Sequence, residues 1–260
     1  KMLNFAHGDI IMVGAFAVIT TVSMLGFPPA LAIAASVVCC VVLGVCVERI
    51  AYKPLRKSPP LAVLITAIGV SYFLQSLALL IFGSTQHSFP KVFSVPTLAL
   101  GALTIRGDML VTLAVTTAIM VGMSLFIAKS RTGKAMRAVS EDRDAAELMG
   151  ISVNRTITIT FAIGSALAAV AGVFYGTTYG FIGPYTGSMP GIKAFVAAVF
   201  GGIGSMPGAM LGGILLGVIE NLAKRYISTE LSDAIVFAVL IIVLMVKPTG
   251  LLGKRVTEKV

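Results

Sequence analysis

Long apolar runs repeat along this chain, and they restrict its fold more than any other feature of the sequence. Only 12% of the 260 residues are charged, and the mean hydropathy is +0.98. A soluble globular domain carries about 25% charged residues, whereas an apolar run of about 20 residues is long enough to cross a membrane as a helix. The sequence therefore predicts an all-α fold, a polytopic transmembrane helical bundle.

About eight membrane segments are expected, because polar or glycine- and proline-rich stretches divide the apolar sequence repeatedly. They cover residues 3–25, 30–47, 61–82, 109–128, 156–179, 191–202, 209–223 and 232–246. The sixth and seventh are shorter than the ~20 residues of an ordinary crossing, and the stretch GGIGSMPG separates them. These two segments are predicted to form either two crossings or a broken, re-entrant pair.

The basic residues indicate the orientation of the chain. Most of the 20 lysines and arginines lie in three polar regions, after the second, fourth and last apolar segments. Cytoplasmic loops of membrane proteins carry an excess of lysine and arginine. These three regions and the C-terminus are therefore predicted to be cytoplasmic, and the net charge of +9 does not indicate a nucleic-acid partner.

The longest polar interval is residues 130–155, SRTGKAMRAVSEDRDAAELMGISVNR. Ser140 is a good N-cap, the acids that follow it suit the first turn of a helix, and Gly150 is a good left-handed C-cap. The pattern predicts two helical pieces on a cytoplasmic loop, one of which is a short helix over residues 140–150.

The apolar side of this short helix is small. It consists of Ala145, Ala146, Leu148 and Met149, and a membrane-surface helix is expected to carry bulkier apolar residues. We interpret the segment as a rigid knob that inserts into a groove of a soluble partner. An ordinary amphipathic surface helix is the alternative interpretation.

No pattern for catalysis, a cofactor or a metal is recognisable. Gly133 and Lys134 are followed by alanine instead of the serine or threonine of a phosphate-binding loop, and GGIGSMPG lacks the strand and spacing of a dinucleotide site. The two histidines are far apart, and the three cysteines lie in one apolar segment, where they resemble small buried residues. We expect the chain not to be an enzyme, so any ATP hydrolysis must be carried out by another chain.

Polar residues within the apolar segments are candidates for function, since ionisable groups at membrane depth are costly. Asp9, Lys193 and Glu220 are the ionisable ones; snorkelling or helix capping is the alternative, because all three lie near segment ends. Lys193 and Glu220 can pair if the two short segments pack together. Gln75 either lines a pathway or bonds a neighbouring helix, and we favour the second.

The connection over residues 83–108 is the longest outside the central loop. Its glycines predict a small hairpin outside the membrane, and His87 within it is interpreted as a solvated loop residue. In the fifth segment, a face of small residues predicts close helix packing. It comprises Gly164, Ala168, Ala171, Gly172 and Gly176.

Four stretches together resemble the permease subunits of high-affinity branched-chain amino acid ABC importers. They are LNFAHGDIIMVGAF, RTGKAMRAVSEDRDAAELMGI, GIKAFVAAVFGGIGSMPGAMLGG and PTGLLGK. Each is weak alone, but they occur in the order typical of the family and cover nearly the whole chain. Family members carry further hydrophobic sequence before the Asn-Phe-Ala-His-Gly motif, so one or two N-terminal spans are expected to be missing.

The resemblance implies a fold like that of type II ABC importers, with a single transmembrane permease domain over residues 1–260 in a bacterial inner membrane. It also implies a second permease, usually a different chain, two cytoplasmic P-loop ATPases and an extracytoplasmic amino-acid-binding protein. The loop over residues 130–155 is then the ATPase-docking loop. The candidate coupling residues are Arg137, Glu141, Asp142, Ala145, Ala146 and Gly150.

The translocation pathway is expected near the Asn-Phe-Ala-His-Gly motif, the glycine-rich break and the charged residues, because broken helices can direct their N-terminal dipoles at an anionic group. The candidates are Asn4, His7, Gly8, Asp9, Lys193, Gly201, Gly202, Gly204 and Glu220. Two alternatives remain. One is a permease for urea or short-chain amides, and the other is a secondary transporter without an ATPase, which predicts ion pairs or proton relays deep within the spans.

Overall fold

The computed structural model describes residues 5–56, 58–93, 95–100 and 103–253. Contacts divide the chain into two compact units. The first comprises Lys1–Ile119 with Leu125–Gly191, and the second comprises Met120–Ser124 with Ile192–Val260.

Most of the described chain is helical. The helices up to the end of the fifth predicted span are α1 (His7–Ile19), α2 (Pro29–Val47), α3 (Pro60–Phe82), α4 (Gly107–Lys129), α5 (Arg131–Glu141), α6 (Arg143–Leu148) and α7 (Val153–Tyr179). The last three are α8 (Ser188–Gly201), α9 (Met206–Tyr226) and α10 (Ser232–Val246). Short π-helical turns, Thr20–Met24 and Glu48–Tyr52, extend α1 and α2.

Six helical stretches of the described chain are long and apolar enough to cross a membrane. They are His7–Met24, Pro29–Tyr52, Leu61–Phe82, Gly107–Lys129, Val153–Tyr179 and Met206–Tyr226, and α8 and α10 are shorter apolar helices. Large apolar side chains such as Leu80, which is 83% exposed, cover the outer faces of these helices. The predicted polytopic helical bundle is confirmed.

The two predicted short segments differ in length. Helix α8 has 14 residues, but α9 has 21 residues and is long enough to cross a membrane. The range of 209–223 that we predicted for α9 is too short. The helix begins earlier because Ser205 caps it, accepting a hydrogen bond from the Gly208 amide at 3.1 Å.

Two small antiparallel sheets lie between the helices. Strand β1 (His87–Ser88) pairs with β4 (Phe181–Ile182), and β2 (Leu98–Leu100) pairs with β3 (Leu103–Ile105). The second pair is the hairpin that the glycine pattern predicted.

The interpretation of His87 as a solvated residue is wrong. Because β1 pairs with β4, His87 lies over the end of α3, where its side chain is half-buried. Its Nε2 atom is 2.8 Å from the Phe82 carbonyl oxygen. Its ring packs edge-on against Phe16, with ring centroids 5.9 Å apart.

Helix α1 is the centre of the first unit, where it packs against α2, α3 and α7. Small residues on α7 permit this packing. A Cβ atom on Gly172 would clash with the backbone of α1 at Ile11 and Ala15, so the helix axes can approach closely only with glycine there. Ala168 and Gly176 on the same helix are also buried, but Ala171 is exposed.

The second unit has its own apolar core between α8, α9 and α10. It consists of Val196, Phe200, Leu216 and Val236, all at most 5% exposed. The chain after α10 closes one end of this core, because the amides of Leu251 and Leu252 donate to the carbonyl oxygens of Phe200 and Gly201 at 2.9 Å.

The central loop folds as two helices, and their boundary differs from the prediction. Helix α5 continues through Ser140 to Glu141, and α6 begins only at Arg143. The two predicted helical pieces are confirmed, but the start of the second piece at residue 140 and the N-cap at Ser140 are wrong. Asp142 is the N-cap instead. Its backbone is extended (φ −147°), and its carboxylate accepts hydrogen bonds from the first amides of α6.

Candidate coupling surface and translocation pathway

Helix α6 is short, and hydrogen bonds fix both of its ends. At its start, Asp142 Oδ1 accepts from the amides of Asp144 at 2.9 Å and Ala145 at 3.0 Å. At its end, Gly150 has the left-handed backbone (φ +79°) that the sequence predicted, and the Ile151 amide donates to the Ala146 carbonyl at 3.0 Å. These caps allow a helix of six residues to move as one piece.

The tip of α6 presents large apolar side chains away from the chain. Leu148 is 89% exposed and Met149 is 82% exposed, whereas Ala146 is buried at 4%. Exposed apolar side chains on a polar loop are typical of surfaces that contact another protein or the membrane. Of the predicted coupling residues, Ala146 is buried and the others are on the surface; these are Arg137, Glu141, Asp142, Ala145 and Gly150.

Helix α5 anchors this surface to the end of α4. Ser130 caps α5 by accepting from the Gly133 amide at 2.9 Å, and Gly133 lies so close to Phe126 and Ile127 that a Cβ atom would clash with their backbone. The Arg137 guanidinium donates to the Ala128 carbonyl at 3.3 Å. The loop is therefore held against the helix that precedes it.

Helix α1 begins deep in the first unit. Asp9, in its first turn, is 1% exposed. Ser71 Oγ donates to its Oδ2 at 2.5 Å and Gln75 Nε2 donates to its Oδ1 at 3.0 Å. Both donors lie near the middle of the 23-residue helix α3, so α1 begins about halfway along that helix.

Asp9 is therefore buried and does not extend to the membrane surface. Gln75 bonds neighbouring helices, which is the interpretation that we favoured from the sequence. Among the described residues, no basic side chain forms an ion pair with Asp9. Gln75 Nε2 also lies 3.1 Å from Ser188 Oγ, at the start of α8. One amide group therefore links α1, α3 and α8.

The starts of α1 and α8 touch through glycines. A Cβ atom on Gly8 would clash with the Gly187 carbonyl oxygen and lie 2.7 Å from Gly191 Cα. His7 is half-buried beside them, and Asn4 lies outside the described residues. The structure brings His7, Gly8 and Asp9 together at the meeting of two helix N-termini, where the backbone dipoles are positive.

A second charged group lies in the second unit. Lys193 Nζ is 2.9 Å from Glu220 Oε1 and 2.7 Å from Asp233 Oδ1, and Lys224 Nζ is 2.5 Å from the same Glu220 oxygen. The pairing of Lys193 with Glu220 is confirmed. Asp233 was not identified from the sequence. It lies in the first turn of α10, where the helix dipole favours an acid, so its position alone does not indicate an ion pair.

A cavity of about 230 Å³ adjoins this charged group. Its lining is otherwise apolar and consists of small or aliphatic residues: Ala194, Ala197, Gly213, Leu216, Gly217 and Val236, with Lys193 and Glu220 at the charged end. An engineered apolar cavity of about 150 Å³ holds benzene. The space is therefore sufficient for a small aliphatic group.

The glycine-rich break lies at the other end of α8. Gly202 and Gly204 have positive φ values of 110° and 96°, which reverse the chain between α8 and α9. Gly201 lies against the Gly208 backbone, and Gly202 lies against Gly253. These contacts bury Gly201 and Gly202, whereas Gly204 is exposed.

Comparison with known proteins decides the family. Residues 1–244 match the family described as "Branched-chain amino acid transport system / permease component". The chain belongs to this family. The resemblance that its motifs suggested is confirmed.

Individual relatives agree over the full length of this permease. It is 43% identical over 271 aligned positions to the "High-affinity branched-chain amino acid transport system permease protein BraD" of Pseudomonas aeruginosa, covering 100% of this chain and 88% of BraD. It is 45% identical to the "High-affinity branched-chain amino acid transport system permease protein LivH" of Escherichia coli, with the same coverage. A probable LivH from Methanocaldococcus jannaschii is 29% identical over 64% of this chain and 54% of its own length. No solved structure matches significantly.

One buried group in the permease was missed by the sequence analysis. Glu48, which follows α2, is 0% exposed and pairs with Arg56. The loop that contains both residues was interpreted only as a basic cytoplasmic connection. An acid in a basic loop was the available signal, but nothing in the sequence indicates its burial.

The described residues contain no group of three or more histidine, cysteine, aspartate or glutamate side chains arranged to hold a metal ion. The polar groups of this permease are instead arranged in pairs and small clusters between helices. Such clusters hold helices together or interact with a solute that passes.

Proposed function

We propose that this permease is the transmembrane subunit of an ATP-driven importer of leucine, isoleucine and valine. Identity of 43–45% to BraD and LivH over the entire chain carries this proposal. The importer would contain a second permease, two cytoplasmic P-loop ATPases and an extracytoplasmic binding protein, in a bacterial inner membrane. The permease contributes the pathway and performs no chemical reaction itself.

Coupling to the ATPases is assigned to α6. When ATP closes the two ATPases, the capped helix follows as a rigid body and moves the start of α7, to which only residues 149–152 connect it. The exposed Leu148 and Met149 give it an apolar tip for a groove in the ATPase. Arg137, Glu141 and Asp142 supply charges around this tip.

The pathway is assigned to two places. In the first unit, the N-termini of α1 and α8 meet at Gly8, and their dipoles favour a carboxylate. In the second unit, Lys193 and Glu220 lie near the start of α8 and the end of α9. With the C-terminus in the cytoplasm, this end of α9 faces outwards, where a binding protein delivers substrate.

The charges at this outer end suit a zwitterion. Two amines and two carboxylates form the group around Lys193, so an amino acid can exchange partners with them without leaving a net charge. The adjoining cavity accepts an aliphatic side chain. The glycines at positions 201, 202 and 204 permit the chain to bend between α8 and α9.

The two alternative functions, a urea or amide permease and a secondary transporter, require different polar groups in the chain. A urea or amide permease needs no charged partners for its substrate. A secondary transporter needs a titrating group within the spans, and Asp9 and Glu48 are the buried acids that the described residues offer for this role. Uptake assays in which leucine, isoleucine, valine and urea compete distinguish the first alternative.

The second alternative is tested by purifying the tagged chain in mild detergent and identifying the proteins that accompany it. We expect a P-loop ATPase and a second permease with the unaltered chain. Gly150→Arg should release the ATPase while the chain remains in the membrane. Gly83→Arg is the matched control, because Gly83 has the same φ of +79°, also has open space around it, and ends α3 on the outer side.

The outcome separates the proposals. Loss of the ATPase with Gly150→Arg alone supports docking at α6. Equal retention in both variants contradicts that assignment. Transport by the chain in liposomes without any ATPase contradicts the importer proposal itself.

A further inference from the structure

A partly buried polar network joins α2 to α7 next to the coupling surface. We call Glu48, Arg56, Asn154 and Thr158 the Glu48 network. The Arg56 guanidinium pairs with Glu48 Oε1 and donates to Asn154 Oδ1, and Thr158 Oγ1 donates to Glu48 Oε2 at 2.9 Å. The side chain of Glu48 is 0% exposed and that of Arg56 is 11% exposed.

The position of the network relative to α6 is its important feature. Asn154 and Thr158 lie in the first two turns of α7, and α7 begins at Val153, shortly after Gly150. Glu48 lies where α2 continues into its π-helical turn. The network therefore connects the base of the helix that α6 would move to a second membrane helix.

Elsewhere between α2 and α7, small and flat groups are in contact. Gly44 lies so close to Ser165 that a Cβ atom would clash with its side chain, and the Tyr52 and Phe161 rings pack with centroids 5.3 Å apart. Smooth surfaces of this kind permit sliding, because dispersion contacts are weak individually and have no preferred direction. Hydrogen bonds to a charged group have a fixed geometry and oppose sliding.

The network is not arranged for maximal stability. Replacing a buried ion pair by apolar residues is often neutral or stabilising. In addition, the Nε atom of Arg56 is buried without a hydrogen-bond partner among the described residues, which lowers stability. A pair with these costs suits a role in fixing position rather than in adding stability.

We propose that Glu48 is a positioning residue that fixes α2 to the base of α7, so that both helices move together with α6. This inference rests on the proposed function, since it requires an ATPase that moves α6. It adds a mechanical link between the coupling surface and a helix that neighbours α1. Without the link, α7 would move while α2 remained in place.

The test measures the number of ATP molecules hydrolysed per leucine imported, in liposomes that contain the whole importer and its binding protein. Glu48→Gln keeps the shape of the side chain and removes its charge. We expect leucine uptake to fall while ATP hydrolysis continues, so that the ratio rises about fivefold, a typical size for residues that modulate coupling between sites. Thr158→Val removes one hydrogen bond and should shift the ratio in the same direction by less.

Arg49→Gln is the matched control, because it removes a charge from the same turn but from an exposed side chain. Its ratio should equal that of the unaltered importer. The proposal is overturned if both Glu48→Gln and Thr158→Val leave the ratio unchanged, or if uptake and hydrolysis fall in proportion. If Glu48→Gln does not assemble, Thr158→Val decides alone.

Failure of the inference can be distinguished from failure of the proposed function. An unaltered importer that takes up no branched-chain amino acid with ATP contradicts the proposed function. An unaltered importer that is active, with variants that remain fully coupled, contradicts only the role of Glu48.

Discussion

The Nζ atom of Lys193 on α8 lies 2.9 Å from Oε1 of Glu220 on α9. The same amine pairs with Asp233 at the start of α10. Lys193 therefore links α8, α9 and α10. Lys193 has two carboxylate partners. Removing Lys193 therefore takes a positive partner from both acids, whereas removing one acid still leaves the amine with the other.

We therefore predict that Lys193→Met lowers stability more than a comparable surface change. Its side chain is 28% exposed, so screening by solvent reduces the effect of a fully buried pair to about 1–3 kcal/mol. Lys91→Met, which alters an exposed lysine, is the control. Thermal unfolding in detergent checks both, and equal midpoints would contradict a structural role for the group.

The cavity beside Lys193 predicts a change in substrate preference. Gly217 lines this cavity and has open space around it, so Gly217→Val should fold normally and fill part of the space. We expect uptake of leucine to fall relative to that of valine by about tenfold, the effect of one methylene group in an apolar site. The measurement is the ratio of the two initial uptake rates.

Gly69→Val serves as its control, because Gly69 lies in α3 and also has open space around it. The leucine-to-valine ratio should not change in this variant. A ratio that is also unchanged in Gly217→Val would show that the cavity does not hold the side chain during transport.

The cap of α6 predicts a specific loss of docking. Asp142→Ala removes two hydrogen bonds to backbone amides and should destabilise the helix by about 1 kcal/mol. The amount of ATPase that co-purifies should fall, while the amount of permease in the membrane stays constant. Ser140→Ala should have no such effect, because among the described residues its hydroxyl donates to the Arg137 carbonyl within α5 and not to α6.

The contact between α1 and α8 predicts that Gly8 cannot be replaced. Gly8→Ala places a methyl group against the Gly187 carbonyl oxygen, and overpacking of this kind costs about 1–3 kcal/mol. Gly164→Ala is a mild comparison, because its Cβ would meet only His7 Cε1, at 3.9 Å. Folded yield by size-exclusion chromatography should fall for the first variant and not for the second.

The sequence predicted the helices whose ends are marked by particular residues. Helix α10 has the predicted range of 232–246, and the third span agrees to within one residue because prolines precede α3 and Gly83 ends it. The N-cap of α6 was assigned to Ser140 instead of Asp142, since both residue types cap helices well and only the extended backbone of Asp142 distinguishes them.

The sites were harder to predict because they depend on depth and on distant contacts. Hydropathy placed Asp9 near the end of a segment, but it does not show that this end lies beside the middle of α3. The pairing of Lys193 with Glu220 could be predicted, because both are charged residues within apolar segments. The burial of Glu48 could not be predicted, because it depends on packing against α7, whose Thr158 lies 110 positions away in the sequence.

The exposed tip of α6 also has a consequence for how the cell must make this protein. If the proposed ATPases dock at α6, a chain synthesised in excess of them leaves Leu148 and Met149 uncovered. Exposed apolar surface promotes aggregation and favours removal by chaperones and proteases. We expect unassembled copies to be short-lived. The cellular amount of this permease then depends on the supply of the proposed partner subunits. Balanced synthesis of the subunits therefore affects permease abundance as much as the expression level of each gene does.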